Sequence, residues 1–102
     1  MPKMKIKTIL DYSHNFNSKK RKINQIKFII FHYTGMKKES EAINKLINRQ
    51  SQVSCHYFIK NNGKIITMVP NSYIAWHAGI SSWKNFKFLN KNAIGVERSN
   101  PG

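Results

Sequence analysis

Few side chains in these 102 residues can carry metal or proton chemistry: four histidines (His14, His32, His56, His77), one cysteine (Cys55) and four acidic residues. His32 follows the apolar, β-branched run of residues 26–31, which is interrupted only by Lys27. His56 lies in an extended stretch, His77 in the segment AWHAG, and Glu97 near the end of a second apolar run, IGVE. A catalytic zinc takes three His, Cys or carboxylate ligands and leaves one position open for water, with a nearby carboxylate to move protons. A zinc hydrolase is therefore one chemistry these residues could perform if the fold gathers them. Spacing alone does not establish it, because a single histidine beside a strand is more often a hydrogen-bonded structural residue.

The elements that would position them can be read from periodicity and turn chemistry. Residues 26–31 suit a buried strand, and Tyr33-Thr34-Gly35 turns the chain away, which leaves His32 at the strand's end. Ser40 is the expected N-cap of a short helix. Glu41 falls in its first turn, and Ala42, Ile43, Leu46 and Ile47 fall on one face. VSCHYFIKNNGKIITMVP reads as a β-hairpin about Asn61-Asn62-Gly63, ended by Pro70. Residues 71–92 read as an aromatic-rich loop holding Tyr73, Trp76, Trp83, Phe86 and Phe88, and residues 93–97 as a further strand. Residues 1–25 read as an irregular basic lead-in to a single domain spanning 1–102.

Eighteen basic residues against four acidic ones give a net charge of +14. Such a charge attracts nucleic acid, anionic lipid or an acidic wall polymer. It is equally the outcome of a composition rich in Asn, Lys and Ile, and the run Lys19-Lys20-Arg21-Lys22 reads as a solvated loop. The lone cysteine excludes an internal disulfide and has no Cys-x-x-Cys partner. The N-terminal residues lack a secretory pattern and no segment reaches membrane-spanning length, so a cytoplasmic protein is expected.

Four segments in register, FIIFHYTG, VSCHYFIKNNGKI, MVPNSYIAWHAGISSW and LNKNAIGVERSNPG, resemble the zinc-dependent N-acetylmuramoyl-L-alanine amidases, most closely the muropeptide-recycling branch. The resemblance runs from about residue 12 to the last residue. It implies an α/β fold with a mixed central β-sheet flanked by helices, and hydrolysis of the bond between N-acetylmuramic acid and L-alanine of the stem peptide. It implies that His32 is the first zinc ligand and Glu97 the catalytic acid/base. Trp76, His77 and Asn90 would line the substrate groove, although a large aromatic such as Trp76 is also a natural core residue. His56 would be a structural hydrogen-bonder. Cys55 stands where some family members carry a tyrosine, which removes tyrosine-assisted catalysis.

In the family pattern the second histidine ligand and a third Asp or Cys ligand follow a long helix after the NPG turn. The C-terminal helix and ligand loop are thus expected to be missing from this chain, leaving apolar sheet surface exposed. Two functions follow from the resemblance: an amidase, completed if necessary by a second polypeptide, or an inactive remnant that still binds muropeptides. A nucleic-acid binder would rest on charge alone, with no helix-turn-helix, zinc-finger or aromatic RNA-binding pattern behind it.

Overall fold

The structure is a computed structural model that describes residues 8–77, 82–83, 86–87 and 89–99. Its centre is a five-stranded mixed sheet. In chain order the strands are β1 (Thr8–Leu10), β2 (Phe28–Tyr33), β3 (Tyr57–Ile59), β4 (Ile65–Thr67) and, after a two-stranded ladder of β5 (Ser82–Trp83) and β6 (Phe86–Lys87), β7 (Ala93–Arg98). The order across the sheet is β1-β4-β3-β7-β2. β3 and β4 are antiparallel, whereas β2 and β3 both run parallel to β7, and β1 runs parallel to β4.

The β3–β4 hairpin forms where its turn residues predict. Gly63 takes φ +84°, a left-handed value that suits glycine, while the Asn62 side chain accepts the Lys64 N–H at 2.9 Å. One α-helix, α1 (Glu39–Ile47), crosses one face of the sheet. Ala42 and Leu46 are buried against Cys55, Phe58, Ile66 and Met68, with Ile43 and Ile47 at the margin. The stripe was legible, but its start was not. Lys38, not Ser40, is the N-cap, and it offers no side-chain bond. Glu39 instead accepts the Asn61 N–H at 2.7 Å, tying the helix start to the hairpin, and Glu39 and Glu41 complement the positive end of the helix.

Three further expectations are corrected. The first long strand is β2, an edge strand rather than a buried one: its side chains alternate, and Ile29, Phe31 and Tyr33 are 63–67% exposed. The lead-in is not irregular throughout, because β1 adds a strand and Ile23–Gln25 form a 3-10 turn. The 71–92 segment contains the β5–β6 ladder and a 3-10 turn at Leu89–Asn92. Phe88 and the final Asn100-Pro101-Gly102 lie outside the described residues.

Among the described residues, α1 and the loops cover one face of the sheet. On the other, Ile29, Phe31, Tyr57, Ile59 and Ile65, over the buried Ile94 and Val96, line an apolar surface that the described residues leave open. Among the described residues no helix is long and apolar enough to cross a membrane.

Arg21, read from its basic neighbours as a solvated residue, is 6% exposed. Its Nε donates to the Asn71 carbonyl at 3.0 Å. The two Nη1 hydrogens are shared among the carbonyls of Asn90, Lys91 and Ala93 at 2.9–3.0 Å. The backbone N–H of Arg21 reaches Ser72 O at 2.9 Å, so this one residue joins the lead-in to both loops that precede β7. Arg21→Met should leave buried carbonyls unpaired and cost about 3 kcal/mol in urea denaturation, with Arg21→Lys recovering only part because an ammonium cannot span the same acceptors. A loss below about 0.5 kcal/mol would mean that water replaces the guanidinium.

Candidate active site

Parallel pairing sets the site. β2 and β7 align His32 with Glu97, and β3 and β7 align Phe58 with Glu97, so the three side chains stand side by side on the covered face. Around them lies a cleft of about 170 Å³, lined by His32, Thr34, Lys45, Ser54, Trp76, His77 and Glu97 among others. That is room for roughly five or six waters, or for a small substrate group.

His77 arrives from the loop after β4. Its backbone N–H donates to Asn90 Oδ1 at 3.1 Å, and its Nδ1 lies 3.2 Å from His32 Nε2, so the two rings share one hydrogen bond. The ring lies directly on β7 at Gly95, where a Cβ would come 2.3 Å from His77 Cγ. Gly95 is thus required by the close approach of an imidazole to a strand. The Nε2 of His77 is buried and has no hydrogen-bond partner among the described residues. Burial, helped by His56, His32 and Arg21, lowers the His77 pKa to about 3. The Ala93 carbonyl acts in the opposite direction. Burial also lowers His32.

His56 is fully buried behind this layer. Its Nδ1 accepts the Gly95 N–H at 3.0 Å, which places the ring proton on Nε2, where it is donated to the Tyr73 carbonyl at 2.8 Å. Arg21 Nη2 sits 3.1 Å from the same Nε2; both groups are donors in this tautomer, so this is charge proximity rather than a hydrogen bond. Burial, with Arg21 adding to it against the Tyr73 carbonyl, lowers the His56 pKa to about 4. Glu97 shifts the other way: burial raises its pKa, and Lys45 on α1 partly offsets this. A half-buried carboxyl beside a cleft, pushed toward the proton-holding form, suits acid–base work.

A profile of the N-acetylmuramoyl-L-alanine amidases matches residues 22–102. The chain belongs to this amidase family. It is 39% identical over 85 residues to the N-acetylmuramoyl-L-alanine amidase AmiD of Escherichia coli, a match covering 76% of this chain and 30% of that protein. It is 41% identical over 46 residues to the 1,6-anhydro-N-acetylmuramyl-L-alanine amidase AmpD of Citrobacter freundii, covering 45% of this chain and 25% of that one. The chain therefore matches less than a third of the length of these relatives. Among solved structures it resembles E. coli AmiD in complex with anhydro-N-acetylmuramic acid-L-Ala-D-gamma-Glu-L-Lys, with TM-score 0.66 and 36% identity over 76% of this chain and 32% of that one. A selenomethionine AmpD crystal structure shares the fold, with TM-score 0.73 and 20% identity over 91% of this chain and 61% of that chain.

Within this amidase-family chain, four of the five anticipated site residues, His32, Glu97, Trp76 and His77, line one cleft. Trp76 is half-buried rather than core, with its Nε1 donating to Asn17 Oδ1 at 2.6 Å. Asn90, anticipated in the groove, accepts the His77 backbone N–H and is not among the residues lining the cleft. Cys55 is fully buried beside Met68 and its thiol pKa is raised, chiefly by burial, so it is a core residue. His14 is exposed and apart from the site. Lys45, Gly95 and Arg21 were not anticipated. The signal for Lys45 was its place beside Leu46 at the rim of the helix stripe; a lone glycine in IGVE hinted at a close approach, and nothing local marked Arg21.

Gly95→Ala should cost about 1–3 kcal/mol through overpacking and shift the His77 ring resonances, while a surface glycine such as Gly35 should not show that coupling. The histidines also set a pH dependence. Because His56 binds its proton near pH 4 when folded and about 6.5 when unfolded, the unfolded chain holds more protons between these values. Stability should therefore fall as pH drops from about 6.5 toward 4, with His77 acting in the same sense and Glu97 in the opposite one. Urea midpoints at pH 7.5 and 4.5 would measure this slope, and His56→Asn should flatten it.

Proposed function

We propose that this chain forms the sheet-and-cleft part of an amidase that hydrolyses the bond between N-acetylmuramic acid and L-alanine of a stem peptide. The observation that carries this is the meeting of His32, Glu97, Trp76 and His77 in one cleft of a family member. The AmiD complex, whose bound substrate is an anhydro-muramyl peptide, supports that substrate class.

Glu97 is the proton carrier. As carboxylate it takes a proton from the attacking water as the oxygen–carbonyl bond forms, and as acid it gives the proton to the alanine nitrogen as the C–N bond breaks. The products are a lactyl carboxylic acid and a free amine. Burial raises the Glu97 pKa above the ordinary carboxylate value, with Lys45 acting against this, which favours the proton-holding form. Trp76 offers a flat apolar face to the sugar–lactyl part, the Asn90-held loop fixes His77 beside His32, and Lys45 adds positive charge at the cleft wall.

The resemblance implies zinc, which polarises the scissile carbonyl in such hydrolases. The residues present do not make a complete zinc site: His32 enters the cleft with His77 3.2 Å away, and no group of three His, Cys, Asp or Glu able to hold a metal occurs among the described residues. In this proposal His32 is the ligand contributed here, and polypeptide beyond the described residues contributes the others. Such a segment, from this or a second chain, would bring its ligands to the cleft face beside His32, while a further layer of it could pack on the apolar face on the opposite side of the sheet. The incomplete ligand set also favours a second reading, binding of muropeptide without turnover.

Calorimetry with anhydro-muramyl-L-Ala-γ-D-Glu-L-Lys should show saturable binding that weakens about tenfold in Trp76→Ala. Where cleavage occurs with added zinc, Glu97→Gln should slow release of the tripeptide at least about 100-fold while binding persists. Binding without any cleavage selects the second reading. No saturable binding by the unmodified chain overturns both.

A further inference from the structure

A second concave surface lies outside the cleft. Lys19, Lys20, Arg21, Lys22, Asn24 and Gln25, with Asn17, Ile74 and Lys91, line a groove of about 640 Å³. No aspartate or glutamate lines it. Lys19, Lys20, Lys22 and Lys91 are exposed there, while the Arg21 guanidinium is turned inward onto carbonyls. Arg21 therefore serves as the anchor of the basic run: it fixes the backbone at its centre, and Lys20 Nζ is held 5.7 Å from the Tyr73 ring centroid. A solvated tail of lysines would have no such fixed curvature. The groove also borders the cleft, because Asn17 on its wall accepts the indole N–H of Trp76, a cleft residue, at 2.6 Å.

We infer that this groove binds a phosphodiester-linked wall glycopolymer, a polyanion that would run past the cleft in which the muropeptide is held. The choice of a wall polymer rests on the function proposed above; the anionic class rests on the groove itself. Four exposed ammonium groups with no carboxylate among them match a chain of repeated single negative charges. A nucleic acid fits less well. The groove is built from an irregular segment, a loop and two single 3-10 turns, with no α-helix or strand in its lining to enter a duplex groove. Its nearby aromatic, Tyr73, is packed edge-on against Phe16 at 5.1 Å and lies beneath Lys20, so it offers no free platform for a base.

The test is binding of the unmodified chain to poly(glycerol phosphate), measured by fluorescence anisotropy across a salt series. It is repeated with Lys19, Lys20, Lys22 and Lys91 all changed to Gln, and with a charge-matched control, Lys37, Lys38, Lys60 and Lys64 all changed to Gln. The groove variant should lose at least about tenfold in affinity and reduce the slope of log K against log salt by about 3, and the control should lose less than about threefold. Equal losses in the two variants would show diffuse attraction and overturn the site. Groove-dependent binding of duplex or single-stranded DNA as tight as that of the glycopolymer would overturn the choice of ligand. Muropeptide calorimetry on the same preparations separates the two proposals. Loss of glycopolymer specificity with muropeptide binding intact refutes the groove alone, whereas absence of muropeptide binding refutes the proposed function.

Discussion

A buried guanidinium with no carboxylate partner organises this small domain. Arg21 is paired with backbone carbonyls from residue 71 and residues 90–93, which lie on two separate loops. Burying a charge is costly unless hydrogen bonds replace its water, and here the loops have to close around it to supply them. That closure also satisfies carbonyls that would otherwise be stranded before β7. Burial lowers the Arg21 pKa from its usual high value, and so far below that value does ordinary pH lie that the group stays charged. The charge then acts at short range on His56 and His77, helping to keep both neutral.

From that anchor the site follows in layers. His56 accepts the Gly95 N–H and fixes β7 from behind, Gly95 leaves room for the His77 ring, and His77 meets His32 across the sheet. Asn90, in the loop that Arg21 clamps, holds the His77 backbone. Each contact depends on the one before it, so a change at a residue far from the cleft reaches the cleft through packing rather than through charge alone. The neutral histidines leave Glu97 as the titrating acid of the cleft wall, with Lys45 as its opposing charge.

The two faces of the sheet have different fates. One is closed by α1 and the loops and contains the cleft; the other shows apolar side chains from β2, β3, β4 and β7. Alternation along a strand makes this outcome unavoidable, since any strand apolar on both faces exposes whichever face lacks a covering layer. β2 shows it directly, with His32 turned toward the cleft and Phe31 and Tyr33 turned outward. The basic groove borders the cleft through the Asn17–Trp76 contact, so part of the large positive charge is gathered next to the cleft.

The sequence by itself determined the family, the hairpin and the apolar stripe of α1, and it singled out His32, Glu97, Trp76 and His77, which the fold brings to one cleft, because turn chemistry, periodicity and motif order are local properties of the chain. Tertiary structure alone decided which charged residue was buried. Lys19, Lys20 and Lys22 are indistinguishable from Arg21 by local pattern, and only the convergence of carbonyls from residues 71 and 90–93 selects the planar, multi-donor side chain for the interior. The same holds for Gly95 and Asn90, whose roles come from a ring that approaches them from a distant loop. Contacts between segments far apart in sequence carry no local signature, so their partners become visible only when the fold has brought them together.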